Sequence, residues 1–348
     1  MKSRIIAIIP ILYFILSTFI TSGQEKTEYK VACIAFYNIE NLFDTINQEN
    51  VIDEEFLPDG LNAWNSNKYW EKEKNIAEVI SQIGTDMTPD GPAILGLSEI
   101  ENRSVLEDLV NEPSIKNRNY QIVHIDGPDR RGVDCALLYN PRYFRVTNVQ
   151  SRAYTLPEDT SFHTRDQLVV SGLFDGELMH FVVNHWPSRS GGQKRSEHKR
   201  IGAAQKTRSI VDSLLKIDPM AKIVVMGDLN DDPVDKSVKE YLNTGGEIED
   251  LKPGQLYNPM LKMYKNGIGS LAYRDSWNLF DQVILSQALL GDDKTTFKYY
   301  KAQVFNKPFL LQKDGAFKGY PWRTFAGGVY LGGYSDHFPA MVFLLKKL

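Results

Sequence analysis

The sequence predicts an α/β fold with many strands, built as one large domain. Three observations carry that reading. Short β-branched or apolar runs alternate with helix-period patterns from about residue 28 to the C-terminus. No internal repeat, low-complexity tract or linker divides them. A length of 348 residues with 42% hydrophobic and 24% charged residues supports a sizeable core, which excludes a disordered, collagen-like or multi-span membrane chain. The expected helices are 67–83, where Tyr69, Ile76, Val79, Ile80 and Ile83 keep a 3.6-residue period, and 196–216, where Ile201, Ala204, Val211, Leu214 and Leu215 do so. The expected strands are 31–37, 93–98, 121–125, 133–139, 168–174, 179–184, 222–227, 281–286 and 338–345. Two stretches, 251–275 and 305–335, are rich in Gly, Pro, Tyr and Asn and read as long ordered loops, which compact domains usually keep for function.

The first 23 residues stand apart. Lys2 and Arg4 precede an apolar run over 5–20, and Thr21-Ser22-Gly23 supplies small residues for a peptidase, the pattern of a secretory signal peptide. A retained anchor is the alternative, disfavoured by the shortness of the run and by Pro10. No Cys follows, so lipid attachment is not expected. The mature domain would span 24–348, carry no membrane span, and be exported to the periplasm or the medium. Its charge offers no general grip on polyanions: 40 Lys and Arg oppose 44 Asp and Glu, and loss of Lys2 and Arg4 would leave 38 against 44. Phosphate-binding charge must therefore be local. Cys33 and Cys135 lie in apolar strand-like runs and read as two small buried hydrophobes, with a disulfide as the alternative.

Polar clusters close several strands, where open sheets place their chemistry. In Phe36-Tyr37-Asn38-Ile39-Glu40-Asn41, the side chains of Asn38 and Glu40 share a face if the chain stays extended; a plain turn is the alternative. The run 94–98 delivers Glu99 to its end, where a helix-capping acid is the alternative. The run 223–226 ends at Gly227, after which Asp228 and Asn230 project to one side and Leu229 to the other. That pairs a hard anionic oxygen with a neutral amide, a combination suited to a water beside a metal-bound phosphate. His185 and His337 each sit at the end or start of an apolar strand beside other polar groups. Asp281 enters an apolar strand and needs a partner if buried, for which His337 is the candidate.

The ordered series Asn38-x-Glu40, Glu99, His185, Gly227-Asp228-Leu229-Asn230, Asp281 and Ser335-Asp336-His337 resembles the endonuclease/exonuclease/phosphatase superfamily over about residues 30–345. The resemblance implies a four-layer α/β sandwich, two mixed β-sheets flanked by helices, with the site at one rim. It also implies a divalent cation, Mg2+ or Mn2+, and hydrolysis of a phosphate ester. Carried over by position, it makes Glu99 the principal metal carboxylate, sets Asn38 and Glu40 beside it, and makes Asp336 a further metal-side carboxylate. Asp228 would orient and deprotonate the attacking water, and Asn230 would hold a phosphate oxygen. His337, paired with Asp281, and His185 would bind the phosphate and stabilise its developing charge. In DNase-like members a carboxylate from another strand partners the second histidine. Asp134 is the expected one here and Glu101 its rival, because a one-residue register shift would turn Asp134 away. The chemistry agrees: an anionic diester repels hydroxide, so the site needs a cation, an acidic group to aim water, and donors for the growing charge. Histidines oriented by carboxylates would stay protonated near neutrality.

After His185 come five Lys or Arg within twelve residues, beside Gly191-Gly192 and a helix start. Arg189, Lys194 and Arg195 are the candidates for seating a non-scissile phosphate; a solvated helix start is the alternative. Arg165, Tyr273, Trp277, Trp322, Arg323 and Tyr334 are candidates to line the cleft, with Tyr273 and Trp322 offering rings to a base or sugar. Packing of their own loops is the alternative for such rings. There is no long basic stripe for duplex DNA and no apolar hairpin for membrane insertion. The expected function is an exported phosphodiesterase of nuclease type, acting on a phosphate ester, nucleic acid included, with no protein partner implied. A phosphomonoesterase or a phospholipase or sphingomyelinase-type activity is the second reading, and an inactive binding module the third.

Overall fold

The computed structural model describes residues 28–156 and 158–348, and the expected signal peptide at 1–23 lies outside them. In chain order the strands are β1 (Tyr29–Leu42), β2 (Pro92–Ile100), β3 (Gln121–His124), β4 (Asp134–Tyr139), β5 (Phe144–Arg152), β6 (Gln167–Phe174), β7 (Glu177–His185) and β8 (Lys222–Asp228). There follow β9 (Thr244–Gly245), β10 (Leu256–Tyr257), β11 (Leu271–Tyr273), β12 (Ser276–Asn278), β13 (Asp281–Leu285), β14 (Lys298–Val304), β15 (Phe325–Ala326), β16 (Val329–Tyr330) and β17 (Ala340–Lys347). The helices are α1 (Ser66–Gln82), α2 (Arg103–Asn111), α3 (Gln193–Ile217) and α4 (Met260–Lys265).

Two mixed sheets result, one in the order β14-β17-β1-β2-β4-β3 and one in the order β5-β6-β7-β8-β13-β10-β9. The pairs β1–β2 and β7–β8 are parallel, and a parallel pair needs a crossover. α1 lies in the first crossover and α3 in the second. Alternation along β8 shows how the layers stack: Ile223 and Val225 join Ala203, Ala204 and Val211 of α3, whereas Val224 and Met226 join the core between the sheets. Because such strands are covered on both faces, they read as continuous apolar runs rather than as alternating ones. The sheets approach so closely at Gly96 of β2 that a Cβ there would lie 2.7 Å from Met226 Sδ. Two multistranded sheets flanked by helices are thus the four-layer sandwich.

The departures from expectation fall at the edges. β5 and β14 were not foreseen, because their exposed faces interleave charge with apolar residues, as in Lys298-Tyr299-Tyr300-Lys301. α2 escaped because it is only nine residues long. β1 runs on to Leu42, well past 37. The loops 251–275 and 305–335 hold α4, the first strand of the small hairpin β11–β12 and the whole of the hairpin β15–β16. Cys33 and Cys135 are free and buried.

Topology makes the rim. The C-terminal ends of β1, β2, β7 and β8 lie at the edge where the antiparallel β13 and β17 begin, so residues distant in sequence meet there.

Candidate active site

At the end of β1 the ladder to β2 slips, with register shifts between Asn38 and Leu42 and, on the other side of β2, between Ser98 and Ile100. Inside this irregularity Glu40, Asn41 and Glu99 have φ of 52°, 52° and 66°. Non-glycine residues seldom take that conformation, which costs about 1–3 kcal/mol each, and a bulge re-aims the side chains it carries. The Glu99 carboxylate is held by the Asn41 amide at 2.9 Å and by Asn38 Nδ2 at 3.3 Å. Asn38 Nδ2 also donates to Asp228 Oδ2 at 3.0 Å, tying one sheet to the other. Glu40 goes elsewhere: its Oε2 accepts from the Thr324 amide at 2.6 Å and lies 3.9 Å from the buried Lys72 ammonium. The shared face expected of Asn38 and Glu40 is therefore corrected, because Glu40 itself leaves the extended conformation.

On the second sheet, Gly227 is required: a Cβ there would come within 2.3 Å of the Asn184 carbonyl oxygen. Asp228 Oδ1 accepts from the Asn230 amide at 2.9 Å, and Asn230, with φ of 50°, donates from Nδ2 to the Trp186 carbonyl at 3.0 Å. His337 Nδ1 donates to Asp281 Oδ2 at 2.6 Å, an oxygen that also accepts from Ser270. Its Nε2 lies 3.9 Å from Asp228 Oδ2 and 3.8 Å from Asp336 Oδ1. His185 Nε2 lies 3.5 Å from Asp228 Oδ2 and 3.8 Å from Glu99 Oε1.

Electrostatics separates the two histidines. Burial disfavours the charged form of His337, yet Asp281, Asp228 and Asp336 outweigh it and hold its pKa well above the ordinary value. For His185 burial again disfavours charge, Arg165, Arg131 and His337 add to it, and the pKa falls well below the ordinary value. The expectation that both rings stay protonated is corrected for His185, whose buried Nδ1 has no hydrogen-bond partner among the described residues. Burial pushes Asp228 up to about 6, partly offset by His337. Burial and then Asp336 raise Glu99, and the same two causes push Glu40 up to about 7. Among the described residues, His185 is the one basic side chain within 4.0 Å of Glu99. A hard carboxylate with no lysine or arginine that close suits a divalent cation, whereas Asp336 has Arg323 Nη2 at 3.9 Å.

Asp134 does not stand behind His185. Its Oδ2 lies 3.4 Å from His124 Nε2 and accepts from the Gly127 amide at 3.1 Å. The register shift between Ser98 and Ile100 falls opposite Asp134, the slip that turns a strand residue aside. Glu101 accepts from the Asp44 amide at 2.6 Å and does not reach His185 either. Arg189 is spent within the protein, meeting Asp231, Asp232 and Asp235 at 3.2, 3.3 and 2.7 Å and covering the Phe280 ring. Lys194 and Arg195 are exposed on the first turn of α3. Tyr273 lines a cleft of about 680 Å³ whose walls include Arg189, Gly192, Arg274, Arg323 and Asp336. Trp322 instead packs its own loop, edge-on to Tyr334 and donating to the Leu331 carbonyl. Sequence reasoning missed Lys72 and Ser270. For Lys72 a signal existed, a lysine close to the apolar stripe of Tyr69, Ile76 and Val79; for Ser270 there was none.

A family model described as Endonuclease/Exonuclease/phosphatase family matches residues 33–346. Truncated Caenorhabditis elegans TDP2 shares the fold at 15% identity and a TM-score of 0.55, over 90% of this chain and 97% of that one. An endonuclease/exonuclease/phosphatase family protein from Bacteroides thetaiotaomicron does so at 16% identity and 0.53, over 92% and 97%. The human Nocturnin catalytic domain with bound sulfate anion does so at 14% identity and 0.51, over 92% and 98%. No curated protein sequence matches the chain.

Proposed function

The chain belongs to the endonuclease/exonuclease/phosphatase family, and from that premise we propose that it is an exported, metal-dependent phosphodiesterase of nuclease type. One observation carries the reading: Asn38, Glu99, His185, Asp228 and the Asp281–His337 pair, from six separate segments, converge on one rim with their polar atoms 2.6–3.9 Å apart. Glu99 and Asp336, with Asn38 beside them, would hold Mg2+ or Mn2+, which supplies a Lewis acid for the phosphoryl oxygen. Asp228, aimed by Asn38 and the Asn230 amide, takes the proton of the attacking water. His337, kept cationic by Asp281, donates from Nε2 to a phosphate oxygen as charge grows there. His185, neutral, offers Nε2 from the other side of Asp228. The cleft running from Asp336 to Tyr273 has room for a group beyond the scissile bond, which favours a diester over a monoester. The leader with Lys2, Arg4 and the apolar run over 5–20 supports export.

Hydrolysis of bis(p-nitrophenyl) phosphate tests the reading. Activity should be abolished by EDTA, restored by Mg2+ or Mn2+, and lost in Glu99→Gln together with calorimetric Mg2+ binding. EDTA-insensitive turnover, or a Glu99→Gln protein that binds Mg2+ as before, refutes it. A panel of DNA, RNA, nucleotides, inositol phosphates and sphingomyelin then fixes the substrate.

A further inference from the structure

The loop joining β3 to β4 is bracketed by donors that the catalytic rim does not use. His124 ends β3, Asp134 begins β4, and Asp126 lies between them. One donor atom from each lies within 4.8 Å of the other two, a grouping found nowhere else among the described His, Cys, Asp and Glu residues. The His124 side chain is 2% exposed, and its Nε2 is buried with no hydrogen-bond partner among the described residues. That nitrogen faces Asp134 Oδ2 across 3.4 Å. The gap is too long for an ordinary N–H···O bond. It is close to the roughly 3.4 Å that separates two donors of a tetrahedral ion with bonds near 2.1 Å. Asp134 is buried and aimed by the Gly127 amide, and among the described residues no Lys or Arg comes within 4.0 Å of it. Asp126 sits 3.7 Å from the other ring nitrogen with 76% of its side chain exposed, so its carboxylate is free to turn toward the Nε2 side.

We propose that His124, Asp134 and Asp126 form a second cation site, separate from the Glu99 centre, that takes an ion of the Zn2+ class and clips the loop shut at both ends. His124 Nε2 and Asp134 are its preformed half, and Asp126 closes it from solvent, with water completing the shell. A mixed imidazole and carboxylate set suits Zn2+ and disfavours Mg2+, which prefers all-oxygen surroundings. The loop carries Arg131, whose charge acts on both Glu99 and His185, so a filled site would steady one wall of the catalytic rim.

Equilibrium dialysis of the full chain against Zn2+ in excess Mg2+ tests this. Wild type and Glu99→Gln should each retain one tightly bound Zn2+, and His124→Ala should lose at least tenfold in affinity. Co2+ added to Glu99→Gln should give a visible absorption band that disappears when His124→Ala is combined with it. If His124→Ala does not fold, Asp126→Asn, altered at the surface, decides by losing at least threefold. Zn2+ affinity unmoved in folded His124→Ala, or in Asp126→Asn where that variant decides, or a Co2+ band that survives, overturns the site and leaves His124 as a packed ring between two carboxylates.

Discussion

His337 and His185 flank one oxygen, Asp228 Oδ2, at 3.9 and 3.5 Å, and both rings are buried. Their charge states nevertheless diverge, His337 held cationic and His185 neutral. Neither burial nor the shared carboxylate makes the difference, since both rings have them. What differs is the company of each ring: Asp281 stands 2.6 Å from His337 Nδ1, whereas among the described residues His185 Nδ1 has no hydrogen-bond partner and the charges of Arg165 and Arg131 act against its protonation. A histidine's role at such a site is set from its far side.

The largest effect should come from removing that far-side charge. Asp281→Asn is expected to lower kcat by on the order of 10²–10³-fold. Because the folded pKa of His337 is raised by Asp281, its loss lets the ring deprotonate at lower pH, and the alkaline limb of kcat against pH moves down. Asp281→Asn combined with His337→Ala should cost little more than His337→Ala alone, since two residues acting as a unit are not additive. Multiplying losses in that cycle would assign Asp281 to the fold and erase the contrast.

The contrast extends to the basic residues after His185. Arg189 has three carboxylates behind it, whereas Lys194 points to solvent. Arg189→Ala should cost about 3 kcal/mol of stability, read by urea unfolding, because Asp232 is left buried without its cation, while Asp231 keeps Arg200 at 2.7 Å. Lys194→Ala should leave the unfolding midpoint in place and act, if at all, on KM for a polymeric substrate, more strongly at low salt. Equal unfolding midpoints in the two variants would show that the aspartate cage carries no stability.

Much of this was legible in the sequence, and the boundary of legibility has a physical cause. The central strands could be read because burial on both faces leaves only apolar residues, as in Ile223-Val224-Val225-Met226. Asp281 and His337 could be paired because a carboxylate entering an apolar strand demands a partner. Glu40 and Asp134 could not be placed, because both stand at register shifts and alternation stops predicting direction where the ladder slips. Lys72 hid in a helix stripe, and Arg189 looked free because its aspartates lie more than forty residues on.

Glu101 shows the opposite case, a buried carboxylate with no histidine to share its charge. Burial, with Asp44 and Asp53 adding to it against the Asp44 amide, pushes it up to about 8. The folded chain therefore keeps this proton while the unfolded chain releases it near pH 4.5. Its stabilising contribution is complete below that pH and is lost as pH rises toward 8. Glu101→Gln keeps an acceptor for the Asp44 amide and has no proton to lose. It should raise Tm by about 2–4 °C at pH 8, on the order of 1 kcal/mol, and by under about 1 °C at pH 4.5. An equal change at both pH values would mean that Glu101 ionises normally in the fold.

The smallest effect is the most direct check on the two histidines. If His185 works as a neutral ring with no hydrogen-bond partner at Nδ1, then Asp134, engaged with His124 and the Gly127 amide, contributes little to turnover. Asp134→Asn keeps the size and an acceptor for Gly127 and removes only the charge. In Mg2+ buffer stripped of transition metals, so that the His124 site stays out of the comparison, it should lower kcat on a small diester by less than about threefold, against the 10²-fold or more expected of Asp281→Asn. A loss as large as that of Asp281→Asn would mean that Asp134 turns to His185 Nδ1 during turnover. Such a movement would protonate the second ring as well, and the profile of Asp134→Asn would then show its own alkaline limb displaced to lower pH. The two sides of Asp228 would in that case be alike in the working enzyme and differ only at rest.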